Sequence, residues 1–201
     1  MAVGKTVNGF HPFITGGGLD GVYQVEGVHF HWGSPQTKGS EHALGGQKYD
    51  LEMHIVCKNI KFASVAEARE DPFGLAVMGV LFKGLDQEVP RSGLNEIFDR
   101  LPFLALPNTD LLIENPLKLG ELMGGINPKK FYTYRGSLTT PPCSQAVTWL
   151  VFEDIVPVQS QSLQKFWHLL DVRGLPLVNN FRPLQLQNGR RVFSRKFFSE
   201  R

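Results

Sequence analysis

Five runs of apolar residues stand out along the chain: Val22–Trp32, Tyr49–Val56, Gly74–Phe82, Phe131–Tyr134 and Gln145–Phe152. They are rich in Val, Ile, Phe, Tyr and Trp and are separated by Gly- and Pro-containing stretches, the pattern of strands on a pleated, half-buried surface. Gly74–Phe82 (GLAVMGVLF) is apolar almost throughout, so it is expected at the centre of a sheet with both faces covered. Two segments carry helical spacing instead. Leu94, Ile97, Phe98 and Leu101 recur at i, i+3, i+4 and i+7 after Ser92, a good N-cap. Leu163, Phe166, Trp167 and Leu170 repeat that spacing after Ser160, and both helices are expected to cover the sheet. The reading is a mainly β, α+β chain with little helix, and one domain over residues 1–201.

Composition narrows the function classes. With 42% hydrophobic and 20% charged residues in 201, the chain is neither disordered nor low in complexity. A net charge of +2, evenly spread, is too small for a nucleic-acid footprint, so no nucleic-acid partner is expected. The longest apolar stretch, Ala146–Phe152, is broken by Thr148. A spanning helix needs about 20 residues, so no transmembrane segment is expected. Met1–Phe13 holds one lysine and no apolar run, so no signal peptide is visible. Cys57 and Cys143 allow at most one bridge.

The chemistry begins in Val28-His29-Phe30-His31-Trp32. Side chains alternate along a strand, so His29 and His31 share one face. Alone, such a pair is more often hydrogen-bonded or solvated than metal-bound. In Leu51-Glu52-Met53-His54-Ile55-Val56, Glu52 and His54 likewise share a face. The Gly- and Ser-rich segment Gly33–Lys48 suits a connection between antiparallel neighbours, which would bring His54 beside the other two. Three imidazoles without a fourth protein ligand are the pattern of a catalytic zinc (Zn2+) site, whereas a structural site wants four ligands. Glu52 could accept the ring N–H of a histidine and fix its tautomer. Ser40-Glu41-His42 and Gly136–Pro142 read first as polar and proline-stopped loops, although the hydroxyl of Thr139 beside such a site would be useful.

Taken together, GGLDGVYQVEGVHFHWG (17–33), Ser40-Glu41-His42, YDLEMHIV (49–56), Gly74–Lys83, YTYRGSLTTPPCSQAVTWLVF (132–152) and NNFRP (179–183) resemble the alpha-class carbonic anhydrases. The resemblance implies a central, twisted, mostly antiparallel sheet flanked by short helices. It implies a zinc-dependent lyase (carbonate dehydratase) of one-carbon metabolism and pH regulation. The reaction would be reversible hydration of carbon dioxide to bicarbonate and a proton by zinc-hydroxide attack. By position in the motifs, His29, His31 and His54 would hold zinc, Glu52 would orient His54, and the carbonyl of Asn180 would orient His31. Thr139 would be the gatekeeping threonine, donating to Glu41. Thr140 would line the substrate and inhibitor site, with Val56, Val77, Leu138, Val147 and Trp149 as the apolar wall. Sulfonamide and anion inhibitors are expected partners of the site.

Three departures bear on activity. Against the usual size of the family domain, roughly the first quarter is expected to be lacking from this sequence. Gly27 stands where the family usually has a glutamine that orients the first ligand. Lys5 stands where the shuttle histidine would fall, with His11 nearby as the other candidate for proton transfer. A free lysine titrates near ~10.4, a poor match to a donor of pKa ~7. Cys143 after the double proline leans towards the secreted or membrane-anchored type, and Cys57 is read as a buried structural thiol. His42 and His168 are read as structural or surface histidines, His42 fixing the loop around Glu41. The competing readings are a non-catalytic carbonic-anhydrase-related binding module and an inactive fragment.

Overall fold

The structure, a computed structural model, describes residues 1–6, 8–113 and 117–194. The expected runs become strands, most of them longer at the C-terminal end than the apolar pattern alone suggests: β1 (Phe13–Thr15), β2 (Val22–Trp32), β3 (Leu51–Asn59), β4 (Leu75–Leu85), β5 (Phe131–Gly136), β6 (Val147–Gln159) and β7 (Val192–Ser194). Among the described residues they form one sheet in the order β1-β2-β3-β4-β6-β5-β7. Every neighbouring pair is antiparallel except β4 and β6, which run parallel. The short edge strands β1 and β7 carry no strong periodicity and were not legible in the apolar pattern.

β4 is the fourth of the seven strands, and Leu75 to Phe82 are buried throughout, because the sheet is covered on both faces there. Alternation sorts the core into two layers. Leu51, Met53, Ile55 and Cys57 of β3 join Ala76, Met78, Val80 and Phe82 of β4 in the larger cluster. Val77, Leu81, Val147, Trp149 and Val151 form the smaller one on the other face, with Val56 and Leu138 packed against it. His54 has the parity of Val56, so the smaller cluster shares its face.

The helices are short: α1 (Val65–Ala68), α2 (Gly93–Phe98), α3 (Leu119–Leu122) and α4 (Ser160–Gln164). Leu94, Ile97 and Phe98 of α2 and Leu163 of α4 bury into the larger cluster, so these helices cover the face opposite the histidines. Both expected helices are cut short. After Phe98 the chain turns into a 3₁₀ helix, Leu101–Leu104, with Pro102 in its first turn; proline lacks an N–H and disfavours α geometry in the residue before it. Gln159, not Ser160, is the N-cap of α4, which tightens to a 3₁₀ turn over Lys165–His168. Leu170 lies beyond it because its N–H bonds to the carbonyl of Ala105 (2.8 Å) and its backbone bridges to Pro176. No helix among the described residues is long and apolar enough to cross a membrane.

Candidate metal centre

Antiparallel pairing of β2 with β3 sets His29 directly opposite His54 and His31 opposite Glu52. The register contains a bulge between Val25 and Gly27, just before the first histidine. The three rings converge, with centroids 5.0 Å (His29–His31), 5.1 Å (His29–His54) and 4.6 Å (His31–His54) apart. One nitrogen from each lies within 4.8 Å of the others, close enough to ligate one ion. His31 and His54 are buried, while His29 keeps an exposed edge.

Hydrogen bonds choose which nitrogen each ring presents. Nδ1 of His31 donates to the carbonyl of Asn180 (2.9 Å), leaving Nε2 free. Nε2 of His54 donates to Oε1 of Glu52 (2.7 Å), leaving Nδ1. Among the described residues His29 has no such partner: with Gly27 two residues before it, its contact at hydrogen-bond distance is Nε2 to Nδ1 of His54 (3.3 Å). Loss of water around the His29 ring, then the neighbouring His54 and His31, push its pKa down to about 3. His31 is lowered too, first by burial. Neutral imidazoles are the form a metal needs.

Two buried atoms here have no hydrogen-bond partner among the described residues, Nε2 of His31 and Oε2 of Glu41, which face one another at 3.3 Å. An unpaired buried polar atom is costly, and a cation among the three nitrogens would satisfy the first. The residues present therefore fit a zinc ion with three nitrogen donors. A second close group, His42, Glu52 and His54, has its facing atoms bonded to each other and is already saturated.

Glu52 is fully buried and accepts four donors: the rings of His54 and His42 (2.7 and 2.5 Å) at Oε1, and the backbone N–H groups of Glu41 and His42 (2.8 Å each) at Oε2. Burial opposes its ionisation, but His42 and His54 outweigh it and hold the carboxyl well below the usual range. His42 is thus no bystander: Glu52 fixes the loop through it, and its Nε2 accepts from the hydroxyl of Tyr134 (2.7 Å). Burial pushes the Tyr134 phenol up, which keeps that hydroxyl protonated. Adjacency to Glu41 hinted at His42, but nothing in the spacing pointed to Tyr134.

The chain from Asn179 to Arg182 clamps the site from between 141 and 150 residues away. Besides orienting His31, Asn180 accepts from the Trp32 N–H (2.7 Å) and donates to the Phe30 carbonyl (3.2 Å). The Arg182 N–H donates to Oε1 of Glu41 (2.6 Å). Thr139 is half-buried and Thr140 exposed; the expected bond from Thr139 to Glu41 is not formed, since Oε1 accepts from Arg182 and Oε2 has no partner among the described residues. Val56, Val77, Leu138, Val147 and Trp149 all belong to the one apolar cluster, and the Trp149 ring meets that of His54 edge-on at 4.7 Å. Lys5 is exposed and His11 half-buried, its Nδ1 unpartnered. No hydrogen bond or ion pair among the described residues joins either to the three histidines.

Fold and site define a β-sheet protein with a three-histidine centre, and the family model of eukaryotic-type carbonic anhydrases matches residues 2–196. The chain belongs to that family. It is 38% identical over 182 residues to a putative carbonic anhydrase 3 of Caenorhabditis elegans, covering 90% of this chain and 68% of the relative. It is 37% identical to mouse carbonic anhydrase 15 (90% and 57%) and 36% identical to human carbonic anhydrase 7 (89% and 67%). The chain thus spans between 57% and 68% of the length of these relatives.

Proposed function

We propose that this chain is a zinc-dependent lyase that interconverts carbon dioxide and bicarbonate. The observation that carries the reading is the convergence of His29 Nε2, His31 Nε2 and His54 Nδ1, with the opposite nitrogens of His31 and His54 already engaged by Asn180 and Glu52. A zinc ion held there would lower the pKa of a coordinated water to about 7, the figure for which carbonic anhydrases are themselves the standard example.

The chain's own residues supply the rest. Glu52 and Asn180 hold two ligands in the tautomer that binds metal. Oε2 of Glu41, buried and without a donor, is the acceptor left for a hydroxyl, and in this reading Thr139 supplies it. Thr139 then accepts a hydrogen bond at its own oxygen from the attacking hydroxide, which orients that nucleophile without moving its proton. Val56, Val77, Leu138, Val147 and Trp149 give carbon dioxide an apolar berth free of competing hydrogen bonds. Thr140, exposed beyond Thr139, faces the entering substrate or a sulfonamide. In this reading Lys5 or His11 passes the released proton to solvent.

The test is metal analysis of the purified protein, then hydration of carbon dioxide with and without a sulfonamide. One zinc per chain with sulfonamide-sensitive hydration is the expected result. Zinc without hydration favours a non-catalytic binding module, and a folded protein without zinc removes the reading.

A further inference from the structure

The loop that carries Thr139 is tied down at one residue, Ser137, by two different partners. Its carbonyl accepts from Nε1 of Trp149 (3.1 Å), in the apolar wall. Its hydroxyl accepts from Nη1 of Arg182 (3.2 Å). The loop leaves β5 pressed against that wall, because a Cβ on Gly136 would come within 2.8 Å of both Trp149 and Tyr134. Beyond Ser137 it is closed by the Leu138 N–H donating to the Ser144 carbonyl (3.0 Å) and the Cys143 N–H to that of Thr140 (2.9 Å).

Arg182 joins this loop to the carboxylate of Glu41. Its backbone N–H grips Oε1 of Glu41 at 2.6 Å, and its side chain grips Ser137, two residues before Thr139. The second arm of the guanidinium is steadied by Oε1 of Gln185 (3.3 Å). One half-buried residue therefore spans the carboxylate and the loop whose hydroxyl must meet it. A planar guanidinium with several donors in fixed directions suits such a bridge better than a flexible ammonium.

We infer that Arg182 is a positioning residue, whose guanidinium sets the Thr139 loop relative to Glu41 through the hydroxyl of Ser137. This rests on the reading of Thr139 given above. The bridge has a useful asymmetry: any side-chain substitution leaves the backbone bond to Glu41 in place, so variants isolate the loop half. A displacement of about 1 Å at a reacting group can cost on the order of 100-fold in rate, and loss of an outer partner typically costs about 10–100-fold.

The experiment compares Arg182→Gln, Arg182→Lys, Ser137→Ala and the Arg182→Gln/Ser137→Ala pair in the whole chain loaded with zinc. Expected are zinc stoichiometry unchanged, kcat/KM for hydration lowered by about 10-fold or more, and hydrogen exchange at the Leu138 amide faster by a similar factor. Arg182→Lys recovers part of both, and the double variant is no worse than either single one, as coupled neighbours behave. The exchange readout needs no turnover, so it judges the bridge even in an inactive protein. Wild-type exchange at Leu138 in Arg182→Gln overturns the inference, as do additive effects in the double variant. Loss of zinc in both Arg182→Gln and Ser137→Ala would also overturn it, because the residue would then act on the metal centre. If Thr139→Ala proves harmless in an active protein, the reading of Thr139 fails, and the exchange result still stands or falls by itself.

Discussion

Oε1 of Glu52 is shared by His54 and His42, at 2.7 Å from Nε2 of the first and 2.5 Å from Nδ1 of the second. One oxygen thus ties a metal ligand to the loop that carries Glu41. Glu52→Gln keeps the shape but loses the charge, and an amide nitrogen cannot accept. Zinc affinity should fall by about 10–100-fold, read by competition with a chelator. His42→Phe should lower unfolding free energy in urea by about 3–5 kcal/mol, since it leaves a buried carboxylate short of its partner. Equal zinc affinity in wild type and Glu52→Gln would show that the carboxylate does not tune the ligand.

Two glycines separate packing from propensity. A Cβ on Gly74 would sit 1.7 Å from the carbonyl oxygen of Ala68, which is backbone and cannot swing aside. Gly74→Ala should destabilise by at least about 1–3 kcal/mol. Gly120, exposed within α3, has nothing among the described residues within 4 Å of its Cβ position. Gly120→Ala should be stabilising by about 0.5–1 kcal/mol, because alanine loses less entropy in a helix. Thermal melts of the two variants should move in opposite directions.

The cysteines should react in sequence. Cys57 is fully buried, and burial pushes its thiol from 9.0 up to about 12; Cys143 is half-buried. At pH 8 a thiol reagent should label one cysteine in the native protein and two in urea. A thiol raised in this way adds stability that is fully present below pH ~9 and is lost as pH climbs towards its folded value of about 12. Cys57→Ser or Cys57→Val should flatten that alkaline decline. Two labels in the native state would contradict the burial.

Hydration in dilute buffer should rise on addition of imidazole. Lys5 is exposed, and no hydrogen bond among the described residues links it or His11 to the histidine centre. An external base of pKa near ~7 would then carry the proton more readily than a lysine. Stopped-flow rates that do not respond to imidazole would place proton export elsewhere than the slow step.

Much of this was legible in the chain because strands declare themselves by a period of two. Alternation in 28–32 and 51–56 set His29 with His31 and Glu52 with His54, and the apolar run of β4 marked the sheet centre. Helix lengths were less legible, as Pro102 and the pairing of Leu170 with Ala105 overrode the periodicity of the apolar face.

What the order of amino acids determined was which side chains could share a face, since that follows from local geometry alone. What only tertiary structure decided was who stands next to whom. The register of β2 on β3, the arrival of Asn180 at His31 and of Arg182 at Glu41, and the link from Tyr134 through His42 to Glu52 join residues far apart in the chain. Such hydrogen bonds leave no periodic trace, because they exist only once the sheet has brought distant loops together.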